Sequence, residues 1–207
     1  MTTILALHGF TGSPHSWSFL GDSAVHVVAP ALVGHAGARD ATQLEGFEDE
    51  VDRIARFVAA GEPVHVVGYS LGARLALGLA LRHPESVARL TLISGHPGLS
   101  SDVEQCARRA ADLVWIELLI SRGVRAFVDA WETQPLWATQ THLPDSARAR
   151  RRAERLSHDA LGLSRSLRVA GLGVMPNYGE RLAELEMPVS VLAGELDLKF
   201  SALARSM

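Results

Sequence analysis

The chain has 207 residues, 47% hydrophobic and 21% charged, a size that fits one domain with a full core. Twenty basic against 23 acidic residues leave a net charge of −3, which argues against nucleic-acid binding as the main role. Cys106 is the single cysteine, so neither a disulfide framework nor a cysteine metal cluster is expected, and a reducing cytoplasm is the simplest location. No signal-peptide pattern opens the chain, and no apolar run approaches the length of a membrane span.

Residues 3–7 and 24–29 are short apolar runs followed by Gly- or Pro-containing loops, as buried parallel strands require. Residues 46–60 carry Phe47, Val51, Ile54 and Val58 at spacings of four, three and four, an amphipathic helix face. A strand at 64–67, a helix at 71–82 and a strand at 89–93 follow. This alternation predicts an α/β fold with a mostly parallel sheet and right-handed crossovers. From 101 to 172 the strand signal vanishes into a helical, Arg- and Ala-rich stretch broken near Pro135 and Pro144, and a strand resumes at 187–193. The expected organisation is therefore a core over 1–100, a helical lid over 101–175 and the rest of the core over 176–207, with the lid above the ligand-binding edge of the sheet.

Gly68-Tyr69-Ser70-Leu71-Gly72 lies between the third predicted strand and the helix after it. Strand, G-x-S-x-G and helix in that order make a nucleophile elbow, which lifts the Ser70 hydroxyl above the sheet at a helix N-terminus. The Gly-rich turn His8-Gly9-Phe10-Thr11-Gly12 follows the first strand. There the Phe10 N–H and the Leu71 N–H are candidates for the two halves of an oxyanion hole. Asp197 closes the last strand, after the serine in chain order, and fits either a triad acid or a surface turn. None of the nine histidines follows it, so the triad histidine is not apparent; His8 and His96 read as loop residues that orient backbone.

Arg74 stands one helical turn after Ser70 and either leans back toward it or binds a neighbouring carboxylate on the helix surface. Tyr69 either offers its hydroxyl to a ligand or packs against the lid. Arg148, Arg151, Arg152 and Arg155 share a helical face, solvated or facing an anion, and Arg108 would join the latter. Trp131 and Trp137 suit the lid core better than a ligand platform.

The elbow, the first turn and the lid resemble the α/β-hydrolase superfamily. More narrowly, Gly68-Tyr69-Ser70-Leu71-Gly72-Ala73-Arg74, Gly95-His96-Pro97-Gly98-Leu99, Trp131 with Gln134-Pro135, and Gly194-Glu195-Leu196-Asp197-Leu198-Lys199-Phe200 resemble the 2-succinyl-6-hydroxy-2,4-cyclohexadiene-1-carboxylate synthase family of menaquinone biosynthesis. The resemblance implies elimination of pyruvate from a small anionic polycarboxylate, without metal or organic cofactor, with Ser70 taking a proton. It places Tyr69, Arg74, Arg108, Trp131 and Arg155 at substrate-binding positions and Ser70 with Asp197 at catalytic ones. It also implies that this chain stops before the family's last strand, catalytic histidine and final helix, which would leave 188–193 as an uncovered edge strand. Two other readings stand beside it: a serine esterase or C–C hydrolase, and a non-catalytic remnant that binds carboxylates.

Overall fold

The computed structural model describes residues 2–21, 24–35, 38, 43–59 and 61–207. Five parallel strands form one sheet in the order β2-β1-β3-β4-β5: β1 (Thr2–Leu7), β2 (Val25–Val28), β3 (Val64–Tyr69), β4 (Val87–Ile93) and β5 (Val189–Leu192). The alternation of side chains along a strand divides the sheet's two faces. Leu5, Leu7, Val64, Val66, Leu90 and Leu92 belong to the main core, whereas Ala6 and Val67 pack on the other face beneath Trp17 from a 3-10 segment, Pro14–Leu20.

Helix α2 (Leu71–Arg82) lies across β1, β3 and β4 and is buried over almost its whole length, as its run of Leu and Ala allows. Helix α1 (Phe47–Ala55) packs on α2 through Phe47, Val51 and Ile54. It ends earlier than the predicted 46–60, because the N–H groups of Phe57 and Val58 turn back to Ile54 and Ala55 in tight three-residue steps. Ala60, the predicted end of that helix, lies outside the described residues. Within α1, Glu50 and Arg53 form a buried ion pair, and Glu50 also accepts the Val33 N–H at 2.8 Å, which fixes the loop after β2.

Between β4 and β5 the chain leaves the sheet for α3 (Asp102–Trp131), a 3-10 segment (Pro135–His142), α4 (Asp145–Leu156) and α5 (Ala160–Ala170). A capping box at Ser101 and Glu104 starts α3, and Gly123, with φ 77°, kinks it. Ile116, Leu119, Phe127, Val128, Leu163 and Leu167 form a second core that joins α3 to α5, and the Phe10 side chain from the sheet reaches into it. The short helix α6 (Leu198–Ser206) follows β5, an edge strand with Leu192 about half exposed. Among the described residues no helix is long and apolar enough to cross a membrane.

Candidate active site

The chain turns sharply at Ser70, whose φ of 52° and ψ of −106° are strained for any residue but glycine. The turn is braced from its neighbours: the Ser70 N–H donates to Ile93 O at 2.9 Å, and Ser70 O accepts the Arg74 N–H at 3.1 Å. Space explains the flanking glycines. A Cβ on Gly72 would stand 2.1 Å from Leu7 O, and one on Gly68 would stand 2.3 Å from Gly72 O. Helix α2 thus starts in contact with the end of β1, and Ser70 caps it where free N–H groups favour negative charge.

The turn after β1 faces this elbow. Gly9 O accepts both the Gly12 N–H and the His8 Nδ1–H, each at 2.9 Å. In a planar trans peptide the next N–H points the opposite way, so the Phe10 N–H is aimed outward. Neither the Phe10 N–H nor the Leu71 N–H has an acceptor among the described residues. The other nitrogen of His8, Nε2, accepts the Leu32 N–H at 3.2 Å, so this buried ring is a neutral backbone clamp; burial pushes its pKa down to about 4.

Two cations gather beside the elbow. Arg74 is half-buried and donates to Ala170 O at 2.9 Å; burial, then the neighbouring Arg108 charge, push it down to about 9. Arg108 is paired with Asp112 at 2.9 Å. Burial raises the Asp112 carboxyl although both arginines oppose the shift. His96, at the top of β4, is pushed down to about 4 by burial and by Lys199, Arg74 and Arg108. The Asp112 carboxylate is thus shared by Arg74 and Arg108, while Lys199 and the opposing Glu104 charge act on His96. Spacing alone did not single out Lys199; the signal was its position two residues after Asp197, at the start of α6.

Tyr69 looks toward a different group. Burial raises its hydroxyl, and the charges acting on it are Arg151, Asp197 and Arg155. Arg155 is buried, bonded to Glu132 at 2.8 Å and stacked over Trp137 at 4.4 Å. These residues line a cavity of about 290 Å³ together with Gln140, Arg148, Arg151 and Arg152. Arg148 and Arg152 are paired with carboxylates, so the arginine face is largely neutralised. Trp131 packs against Phe10 and Phe127, a core position, while its Nε1–H finds no acceptor among the described residues.

Asp197 caps α6, accepting the Phe200 N–H at 3.1 Å. All nine histidines are described, and none is hydrogen-bonded to Ser70 or Asp197. Among the described residues no cluster of three His, Cys, Asp or Glu could hold a metal ion.

Residues 2–196 match the model of a family described as the alpha/beta hydrolase fold. A Bacillus subtilis (strain 168) protein provisionally named 2-succinyl-6-hydroxy-2,4-cyclohexadiene-1-carboxylate synthase is 34% identical, over 97% of this chain and 75% of its own. An Escherichia coli K12 protein carrying that synthase name is 29% identical, over 99% of this chain and 81% of its own. Among solved structures, MenH from Staphylococcus aureus is 30% identical with a TM-score of 0.93, covering 99% of this chain and 79% of that one. An enol-lactonase from Burkholderia xenovorans LB400, 17% identical with a TM-score of 0.75 and covering 99% of this chain and 77% of its own, shares the fold.

Proposed function

Given a chain that belongs to the α/β-hydrolase family, and within it to the 2-succinyl-6-hydroxy-2,4-cyclohexadiene-1-carboxylate synthase family, we propose a lyase that eliminates pyruvate from a succinyl-bearing cyclohexene polycarboxylate. The observation that carries this reading is the Arg74–Arg108 pair beside the elbow, with Asp112 as its nearest counter-charge. Two guanidinium groups held close without full compensation favour a ligand with more than one carboxylate, and their planar forks fix its orientation. A neutral ester would leave that charge unanswered.

In this reading Ser70 Oγ, its own proton passed to an imidazole base, takes a proton from carbon. The electron pair left behind expels the enolpyruvyl oxygen as its C–O bond breaks, and the released enol takes up a proton at carbon to leave as pyruvate. Negative charge that develops on the adjacent carbonyl is received by the Phe10 and Leu71 N–H groups and the positive end of α2. Arg74 and Arg108 hold carboxylates, Tyr69 offers its hydroxyl and Trp131 its buried indole N–H, unpartnered among the described residues, and Asp197 is the acid that would orient an imidazole base. Arg155 joins only by leaving Glu132. The insertion 102–170 acts as the lid.

One observation favours a second reading. Because no histidine is bonded to Ser70 or Asp197 among the described residues, the chain fits a site that binds polycarboxylates without turning them over. Pyruvate release measured beside hydrolysis of a chromogenic ester separates the cases. A lyase releases pyruvate, and Arg74→Ala suppresses that release. Faster ester turnover that ignores Arg74→Ala points to a serine hydrolase, and saturable binding without either product points to the binding role.

A further inference from the structure

The turn that aims the Phe10 N–H is itself strained. In the Gly9–Gly12 β-turn the third position requires a positive φ, normally met by Gly or Asn. Here it is Thr11, a β-branched residue at φ 63°, and it is almost fully buried. Such a conformation costs roughly 1–3 kcal/mol and persists only where its surroundings enforce it. Two histidines supply that enforcement. The Thr11 N–H donates to His35 Nε2, and Thr11 O accepts from His158 Nε2–H, both at 3.1 Å. His35 comes from the loop that Glu50 fixes after β2, and His158 from the junction of α4 and α5.

We infer that His158 is a positioning residue through which the helical insertion sets the oxyanion donor at Phe10, with His35 as the opposing half of the clamp. This rests on the reading of Phe10 as that donor. The chain of contacts is continuous: the clamp keeps Thr11 left-handed, the Gly12 N–H then returns to Gly9 O, and that bond fixes the Gly9–Phe10 peptide, whose N–H points away from Gly9 O. The tautomers follow from the partners. His35 accepts at Nε2 and so carries its proton at Nδ1, toward Val33 O at 3.1 Å. His158 carries its proton at Nε2, and its Nδ1 is buried without a partner among the described residues. The rings of His8, His35 and His158 stand edge to face, with neighbouring centroids 4.7 and 5.2 Å apart. One turn of α4 earlier, Glu154 bonds the Ser13 and Ser16 hydroxyls, a second tie between the insertion and the same loop. Seating of the insertion and shape of the oxyanion turn are thereby coupled.

The test combines kinetics with amide and imidazole NMR on the full chain. His158→Phe removes the donor, His158→Gln keeps an N–H in reach, and Thr11→Gly removes the strain the clamp holds. In pyruvate release, H158F is expected to lower kcat roughly 10- to 100-fold with KM within about twofold, short of the loss of a whole oxyanion donor. H158Q is expected to recover most of that rate, and in the T11G background the effect of H158F shrinks to within roughly threefold, since glycine adopts a positive φ without cost. Independently of turnover, the unmodified protein is expected to show Nε2–H His158 and Nδ1–H His35, with H158F speeding exchange of the Gly12 amide and shifting that of Phe10. An Nδ1–H tautomer at His158 overturns the inference even if H158F does not fold. Unchanged Gly12 and Phe10 amides in a folded H158F do the same. If the unmodified chain releases no pyruvate, the lyase reading fails while the NMR outcome still decides the clamp.

Discussion

Arg74 and Arg108 stand close enough together that the Arg108 charge helps depress Arg74, and the carboxylate they share is that of Asp112. Such a pair is costly in the empty site and relieved by an anion, which makes it the part of the site most diagnostic of ligand.

Replacing Arg74 by Met removes a partly desolvated cation and its bond to Ala170 O. These effects oppose one another, so stability is expected to stay within about 1 kcal/mol of the parent. Ligand response is where the change shows. A tricarboxylate such as citrate at ten times its Kd stabilises the parent by about 1.4 kcal/mol, and R74M is expected to lose that gain. Thermal melts with and without citrate measure it; an equal shift in both proteins would remove Arg74 from the site.

Arg155 is expected to behave differently. It is already bonded to Glu132 and covers Trp137, and Arg152 remains to neutralise Glu132 if Arg155 is lost. R155M is therefore expected to change KM for the polycarboxylate no more than about threefold, against at least tenfold for R74M, where the loss of a charge-assisted contact is worth roughly 1.5–3 kcal/mol. Steady-state pyruvate release resolves the two, and a larger effect at Arg155 would move substrate recognition toward the cavity lined by Glu132, Trp137 and the α4 arginines.

The buried histidines dictate a pH response. His8 is held down to about 4, and burial lowers His35 and His158 as well. Between pH 6.5 and about 4 the unfolded chain binds protons that the folded one refuses, so stability rises with pH through that window and is lost as pH falls. His8 alone accounts for as much as about 3 kcal/mol at 1.36 kcal/mol per pKa unit. Asp112, raised by burial, acts in the opposite sense. Urea midpoints from pH 7 to 4.5 should fall steadily, and a flat profile would show that these rings are not buried neutral.

The elbow makes a steric prediction. Gly72→Ala places a methyl 2.1 Å from Leu7 O, so α2 must lift off β1, with an expected loss of about 3 kcal/mol or more. Gly61→Ala meets open space, although φ is +80°, and should cost only about 1 kcal/mol. Denaturant melts of both variants check the contrast; similar losses would mean that the elbow is not tightly packed.

What was legible in the sequence is what local pattern records. Short apolar runs closed by Gly- or Pro-containing loops marked the strands, a Leu/Ala stretch marked α2 over Leu71–Arg82, and the glycines at 68 and 72 marked the elbow because two backbones touch there. The end of α1 was missed because Val58 continues the apolar spacing while the backbone has already tightened. Asp112 and the Thr11 clamp were illegible for another reason. His35 is 24 and His158 is 147 residues from Thr11, and no local signal reports a contact made by folding. The arginines of α4 looked alike in sequence, and only their partners separate them: Arg148 faces Asp145, Arg152 and Arg155 face Glu132, and Arg151 acts on Tyr69.

The most decisive experiment is pyruvate release from the succinyl cyclohexene polycarboxylate by the purified chain, run beside Ser70→Ala. Release by the parent is expected, with a fall of roughly tenfold or more in S70A. The fall is less than in an intact triad because triad losses are not additive and no histidine is bonded to Ser70 among the described residues. Equal release by both proteins, or none from a parent that binds the polycarboxylate, would contradict a proton transfer seated on Ser70.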